Sequence, residues 1–370
     1  MVPRYTLAVV RLFGLLLTFA LLAPVVSGQP VTDAERQRLE EIRARHDRGE
    51  AVSAADREFA QRTMQRLNQA QAAARNTDWA KAHPPRESTG LVPLPDLGTG
   101  WYRGEQGGLY PGGSNTPPQP HLATGLVLAR RIAASGKIVL LSIGMSNTTQ
   151  EFSAFQLLAA HAALNPKLVI VDGAQSGQTA QITANPQANF WRVVDERLAA
   201  AGAAAADVQA AWIKQANAGP SQGFPDARKL EDDLVATLHN LHDRFPNLKI
   251  CYLSSRIYGG YAATPLNPEP YAYEGGFAVK WVVARQIAGD PELNYGAAEG
   301  AVRAPWIAWG PYLWADGVKG RKQDGLVYVR GDVGADGTHP SDAGRRKVAE
   351  QLLDFLKTDP TAKGWFLPAH

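Results

Sequence analysis

A chain of 370 residues, 45% hydrophobic and 20% charged, is long enough to bury a full core. A net charge of +3 with mixed signs gives no case for nucleic acid binding, and no nucleic acid partner is expected. The single cysteine, Cys251, excludes a disulfide within the chain; its place in the apolar run Ile250-Cys251-Tyr252-Leu253 predicts a buried structural thiol.

At the N-terminus, Arg4 and Arg11 precede the apolar run Leu12 to Val26, which ends in the small residues Val26-Ser27-Gly28. This is the layout of a secretory signal peptide over residues 1–28; the run is short for a spanning helix and contains Pro24. The expected mature protein is exported, periplasmic or extracellular, with no stable membrane insertion after cleavage. Residues 29–75 are highly charged. A thin apolar stripe (Leu39, Ile42, Phe59, Met64, Leu67) and the capping sequence Ser53-Ala54-Ala55-Asp56 predict a helical extension of two helices joined near Arg48-Gly49-Glu50. Residues 76–123 are rich in Pro and Gly and read as a linker or long surface loop.

Residues 124–370 alternate between two patterns. Strand-length apolar runs fall at Lys137 to Ser142, Lys167 to Val171, Val208 to Lys214, Lys249 to Leu253 and Trp306 to Trp309. Helical patterns cover Glu151 to Ala163, Gln187 to Ala201, Asp226 to Phe245 and Phe277 to Ile287, and a last helix is expected from Ser341, its N-cap, to Lys357. Buried strands alternating with amphipathic helices predict an α/β fold with a parallel sheet covered on both faces. Ligands of such sheets bind beyond the carboxyl ends of the strands, which singles out the residues just after each run.

Four of these segments can carry chemistry, and each has a plainer reading. Ser146 in Gly144-Met145-Ser146-Asn147 sits at a strand-to-helix turn, as an exposed nucleophile or an ordinary helix cap. In Ser176-Gly177-Gln178-Thr179, Gly177 can offer an amide to an oxyanion or simply form a turn. In Gln215-Ala216-Asn217, Asn217 can donate its side-chain amide or shape a loop. Asp336 and His339 in Asp336-Gly337-Thr338-His339-Pro340 are spaced so that the carboxylate can orient the imidazole, unless the histidine follows an Asp-Gly turn by chance. The α/β-hydrolase elbow G-x-S-x-G is excluded, because Thr148 stands where its second glycine belongs.

Taken in order, these segments resemble the four sequence blocks of the SGNH/GDSL hydrolase superfamily, over about residues 124 to 358. The D-x-x-H-P block is the nearest match, and the G-x-S-N form is more similar to the carbohydrate and sialate O-acetylesterase branch than to GDSL lipases. Met145, Asn147 and Gln215 depart from the usual blocks. The resemblance implies a flavodoxin-like three-layer α/β/α sandwich. It also implies a serine esterase with nucleophile Ser146, base His339 and orienting acid Asp336, and an oxyanion hole from the Ser146 and Gly177 amides and Asn217, with Asn147 as the alternative to Asn217. No metal and no cofactor are implied.

The later loops are rich in aromatics. Tyr258, Tyr273 and Trp309, with Arg256, are the expected substrate-binding residues, and an acylated carbohydrate is the expected partner. Two rival readings stand beside this one: a non-catalytic glycan-binding protein on the same fold, and an envelope adaptor acting through residues 29–75. The oligomeric state, the acyl group and the alcohol are left open.

Overall fold

A computed structural model describes residues 30–368, and backbone contacts divide the chain into two compact units at residues 75 and 76. The expected signal peptide lies outside the described residues. No described helix is long and apolar enough to cross a membrane.

In the first unit, α1 (Asp33–Asp47) and the start of α2 (Ala54–Ala82) form the expected pair of helices. Thr32 and Glu35 close a reciprocal capping box at the head of α1, and Ser53 Oγ accepts from the Asp56 amide at the head of α2. Gly49, at φ +74°, supplies the left-handed residue that turns the chain between them. Arg38 and Arg45 both reach Asp56 at 3.1 Å, and Arg66 reaches Glu35 at 2.7 Å. The buried residues described in this unit, Val31, Ile42, Ala60 and Thr63, are few, and charged pairs between the helices add to their packing.

The second unit begins with α3 (Leu94–Leu97), a small antiparallel hairpin of β1 (Trp101–Tyr102) and β2 (Glu105–Gln106), and α4 (Gln119–Ala133). This corrects the expectation of a linker over residues 76–123. Leu94 and Tyr110 are buried in the main core. Asp316 accepts from the amides of Thr89 at 2.6 Å and Gly90 at 3.0 Å. The prolines concealed α4 in the sequence. Pro118 and Pro120 lie at its head, where no intrahelical N–H is needed.

The alternation then unfolds as β3 (Ile138–Gly144), α5 (Ser146–Ala159), β4 (Leu168–Asp172), α6 (Ala180–Thr183), α7 (Asn189–Ala200), β5 (Val208–Lys214) and α8 (Phe224–Arg244). It continues through β6 (Ile250–Ser254), α9 (Tyr271–Ile287), β7 (Trp306–Trp309), α10 (Asp342–Thr358) and α11 (Lys363–Phe366). The five strands β3 to β7 pair in the order β4-β3-β5-β6-β7, all parallel, as the sequence predicts for a parallel α/β sheet. Every residue of β3, β5, β6 and β7 is buried, which requires cover on both faces. One packing group joins α4, α5, α10 and α11; the other joins α6, α7, α8 and α9. The arrangement is compatible with a three-layer α/β/α sandwich.

The core is aromatic, with Trp191, Trp212, Trp306, Trp314 and Trp365 all fully buried. Cys251 lies within it, as expected, and burial pushes its thiol well above the ordinary range. The start of α9 differs from the expectation. It opens at Tyr271 rather than Phe277, because Gly275 and Gly276 are helical. A Cβ on Gly276 would lie 2.8 Å from Leu94 Cδ1, so this glycine serves close packing rather than a turn.

Candidate active site

The ends of β3, β5 and β6 are in register: Gly144 pairs with Lys214, and Lys214 with Ser254. The strand order reverses at β3, whose neighbours are β4 and β5, and this is the switch point at which open α/β sheets receive ligands. Ser146 stands there. Only Met145 separates the last residue of β3 from the first of α5. Gly144 makes so short a junction possible, since a Cβ would lie 2.3 Å from Thr148 Oγ1 and 2.5 Å from the Lys214 carbonyl oxygen. Thr148 Oγ1 then donates to that carbonyl at 2.7 Å, tying the first turn of α5 to β5. No side chain caps α5. The Ser146 amide at its head has no capping side chain and lies at the positive end of the helix dipole, while Asn147 Oδ1 takes the Thr148 amide.

His339 arrives from a loop 193 positions downstream. The loop is shaped by Gly337 at φ +66°, where a Cβ would lie 1.7 Å from the Tyr261 carbonyl oxygen. The Ala263 amide donates to the Asp336 carbonyl at 2.8 Å and the Gly334 amide to the His339 carbonyl at 2.8 Å. Ser341 then caps α10, accepting from the Gly344 amide at 3.3 Å. Helix α10 packs on α5, so the two helices deliver His339 and Ser146 to the same place.

There, Ser146 Oγ lies 2.7 Å from His339 Nε2, and His339 Nδ1 lies 2.5 Å from Asp336 Oδ2. A nitrogen facing a carboxylate carries the proton, so Nδ1 donates to Asp336 and Nε2 is left to accept from the serine hydroxyl. The other oxygen, Asp336 Oδ1, accepts from the amides of Thr338 at 3.1 Å and His339 at 3.0 Å. Partial burial opposes the Asp336 charge, but the hydrogen bonds from the His339 ring and these two amides outweigh it and bring the carboxyl down to about 2. All three side chains are half-buried, shielded yet reachable. The structure thus brings Ser146, His339 and Asp336 together.

The remaining expected residues divide. The loop holding Gly177 is drawn to the nucleophile turn by a bond from the Gln175 amide to the Gly144 carbonyl (3.0 Å); Gly177 itself is exposed at φ +76°. Asn217 is a correction. Its Nδ2 donates to Asp233 at 2.6 Å, its Oδ1 accepts from the Gln181 amide at 3.0 Å, and its own amide donates to the Tyr271 hydroxyl at 3.0 Å. The side chain is tied to neighbouring helices rather than free, which leaves one Nδ2 hydrogen to donate. Asn147, the alternative, is 2% exposed, accepts from the Thr148 amide through Oδ1, and leaves Nδ2 without a hydrogen-bond partner.

Tyr258, Tyr273 and Trp309 are corrections too. All three are buried in the core. The Tyr258 hydroxyl donates to the Arg86 carbonyl, Tyr273 packs on Trp314 with ring centroids 4.7 Å apart, and Trp309 Nε1 donates to the Leu109 carbonyl. Rings so enclosed cannot offer a face to a sugar. Arg256 is buried at the carboxyl edge.

Sequence reasoning missed the ion pair behind the nucleophile turn. Lys214 Nζ sits 2.9 and 2.7 Å from the two carboxylate oxygens of Glu151, with both side chains fully buried. Burial pushes Lys214 down and Glu151 opposes it. The available signal was a lysine closing an otherwise apolar strand, with a glutamate in the second turn of the nucleophile helix. A cavity of about 440 Å³ lies elsewhere, around Gln286, Asp290, Glu292, Tyr295 and Arg303 at the far end of α9, and includes no residue of the triad. Among the described residues, no group of three or more His, Cys, Asp or Glu side chains is placed to hold a metal ion. Comparison of the chain with protein-family models finds no match, and comparison with curated proteins finds none.

Proposed function

We propose that this protein is an exported serine esterase of the SGNH (GDSL-like) type, cleaving carboxylic esters through an acyl-enzyme. The observation that carries the reading is the unbroken chain Ser146 Oγ–His339 Nε2, His339 Nδ1–Asp336, at 2.7 and 2.5 Å, on a parallel sheet's carboxyl edge. The match of these three residues to the first and last blocks of that superfamily supports the type, and the N-terminal sequence supports export.

In this reading Ser146 Oγ attacks the ester carbonyl while its proton passes to His339 Nε2. Asp336, ionised down to about pH 2, stabilises the imidazolium and holds its tautomer. The carbonyl oxygen becomes an oxyanion held by the Ser146 amide at the head of α5, the Gly177 amide and Asn147 Nδ2. Each such donor contributes on the order of 3 kcal/mol in the transition state. The alcohol leaves with the proton from His339. Water then gives its proton to His339, attacks the acyl group, and releases the acid with Ser146 restored. An acetyl ester remains the natural first substrate. The aromatic loops no longer argue for a sugar, and a non-catalytic glycan-binding protein loses the same support, since Tyr258, Tyr273 and Trp309 lie in the core.

A fluorophosphonate probe tests the reading directly. It should label Ser146 in the natural protein and fail to label Ser146→Ala or His339→Ala. Labelling that survives in both variants, or none in the folded natural protein, would discard the esterase.

A further inference from the structure

Two arginines are buried among the described residues, and they are treated differently. Arg321 is 7% exposed, and its Nε donates to Asp324 at 3.0 Å. Arg256 is 4% exposed, its Nε has no hydrogen-bond partner, and its guanidinium enters no ion pair among the described residues. A buried guanidinium without a counter-charge is costly, and a native fold keeps one only for a reason.

The acidic groups whose fields reach Arg256 are Glu151, Tyr271, Asp336 and Glu269, and each is engaged elsewhere. Glu151 holds Lys214, and Asp336 holds His339. The Tyr271 hydroxyl accepts from the Asn217 amide, and Glu269 accepts from the amides of Gly259 and Tyr273 and from Trp314 Nε1. None of these carboxylates is in ion-pair contact with the Arg256 guanidinium, and its Nε is left without a partner. Its place follows from the sheet register. Ser146 stands two residues beyond Gly144 and Arg256 two beyond Ser254, on strands separated only by β5. Two strand spacings put the chain paths about 10 Å apart at that level, a gap that an arginine side chain and a small ester can bridge together. Of the other buried polar atoms at this edge without a hydrogen-bond partner, Asn147 Nδ2 can donate like Arg256 Nε, whereas Gln150 Oε1 and Gln215 Oε1 can only accept.

We infer that Arg256 is a carboxylate receptor beside Ser146, and that the ester this protein cleaves carries a carboxylate within a few bonds of its scissile carbonyl. The second half rests on the esterase reading; the first does not. A planar guanidinium grips a carboxylate through two parallel N–H bonds, and a single unpaired guanidinium suits a monoanion better than a phosphate dianion.

Calorimetric titration of Ser146→Ala protein with monomethyl succinate and its neutral twin dimethyl succinate tests this without turnover. The monoanion should bind at least about tenfold more tightly. Arg256→Gln, placed in the same Ser146→Ala background, should abolish that preference, and Arg256→Lys should keep part of it. Equal affinity for the two ligands, no binding of either at the highest soluble concentration, or a preference that survives in a folded Arg256→Gln variant would each overturn the inference. Should Arg256→Gln fail to fold, the two-ligand comparison with Arg256 intact decides alone. A natural protein that resists the fluorophosphonate while its Ser146→Ala form keeps the ligand preference would sink the esterase and leave the receptor standing.

Discussion

Asn147 and Asn217 both follow strands of the sheet, at its carboxyl edge, yet their surroundings differ in kind. Each polar atom of Asn217 has a partner: its side chain bonds Asp233 and the Gln181 amide, its own amide bonds Tyr271, and its carbonyl accepts from Asn267 Nδ2 at 3.0 Å. Asn147, by contrast, is buried with its Nδ2 left without a partner. Folded proteins satisfy nearly all buried polar groups, so a satisfied asparagine reads as a structural joint and an unsatisfied one as a group kept for a ligand. The superfamily resemblance favours Asn217 as the oxyanion donor, and the hydrogen-bond accounting favours Asn147.

Kinetics can break that contrast, and the reference point is the nucleophile. Ser146→Ala should lower kcat for 4-nitrophenyl acetate by about 10⁴-fold or more, with an unchanged melting temperature. Asn147→Ala should lower kcat by about 10² to 10³-fold if its free amide meets the oxyanion. A fall of that size in Asn217→Ala, with Asn147→Ala near normal, would reverse the assignment. Asn217→Ala should instead act on stability. It strips bonds from Asp233 and the Gln181 amide, and its urea unfolding free energy should drop by about 1–3 kcal/mol while kcat changes little.

The smallest effect is a pH dependence. The Asp336 carboxyl is held at about 2 in the folded protein, below its usual 3.8, so between those values the folded state binds fewer protons than the unfolded one. The His339–Asp336 contact is therefore fully stabilising above about pH 4 and fades as pH falls towards 2. Across that window the urea midpoint of the natural protein should fall more steeply than that of Asp336→Asn. Parallel slopes would show that the carboxylate at the site is no better held than one in water.

Much of this edge was legible in the sequence because the information is local. Gly144, Ser146, Gly337 and His339 each sit at a junction whose conformation depends on a few neighbours, and Ser341 was readable as a cap for the same reason. The aromatic loops were misread because ring burial is not local. Tyr273 looks like a loop residue beside Gly275-Gly276; only the close approach of the distant Leu94 to Gly276, and the packing of Tyr102, Phe277 and Trp314 on the ring, show a helix buried in the core. Helix α4 was missed for a different reason. Prolines that end most helices are tolerated in a first turn, and their position relative to the start decides which.

By itself the sequence determined the alternation of strands and helices, the parallel sheet, the buried Cys251 and the identity of Ser146, Asp336 and His339 as the residues to watch. Each is written in apolar periodicity or in a short run of neighbours. Only the tertiary structure decided that the serine and the imidazole meet at 2.7 Å, that Asn217 is a joint, that Tyr258, Tyr273 and Trp309 are core, and that Arg256 is buried without a partner. Burial and hydrogen-bond satisfaction are sums over groups brought in from distant parts of the chain, and no local pattern contains them.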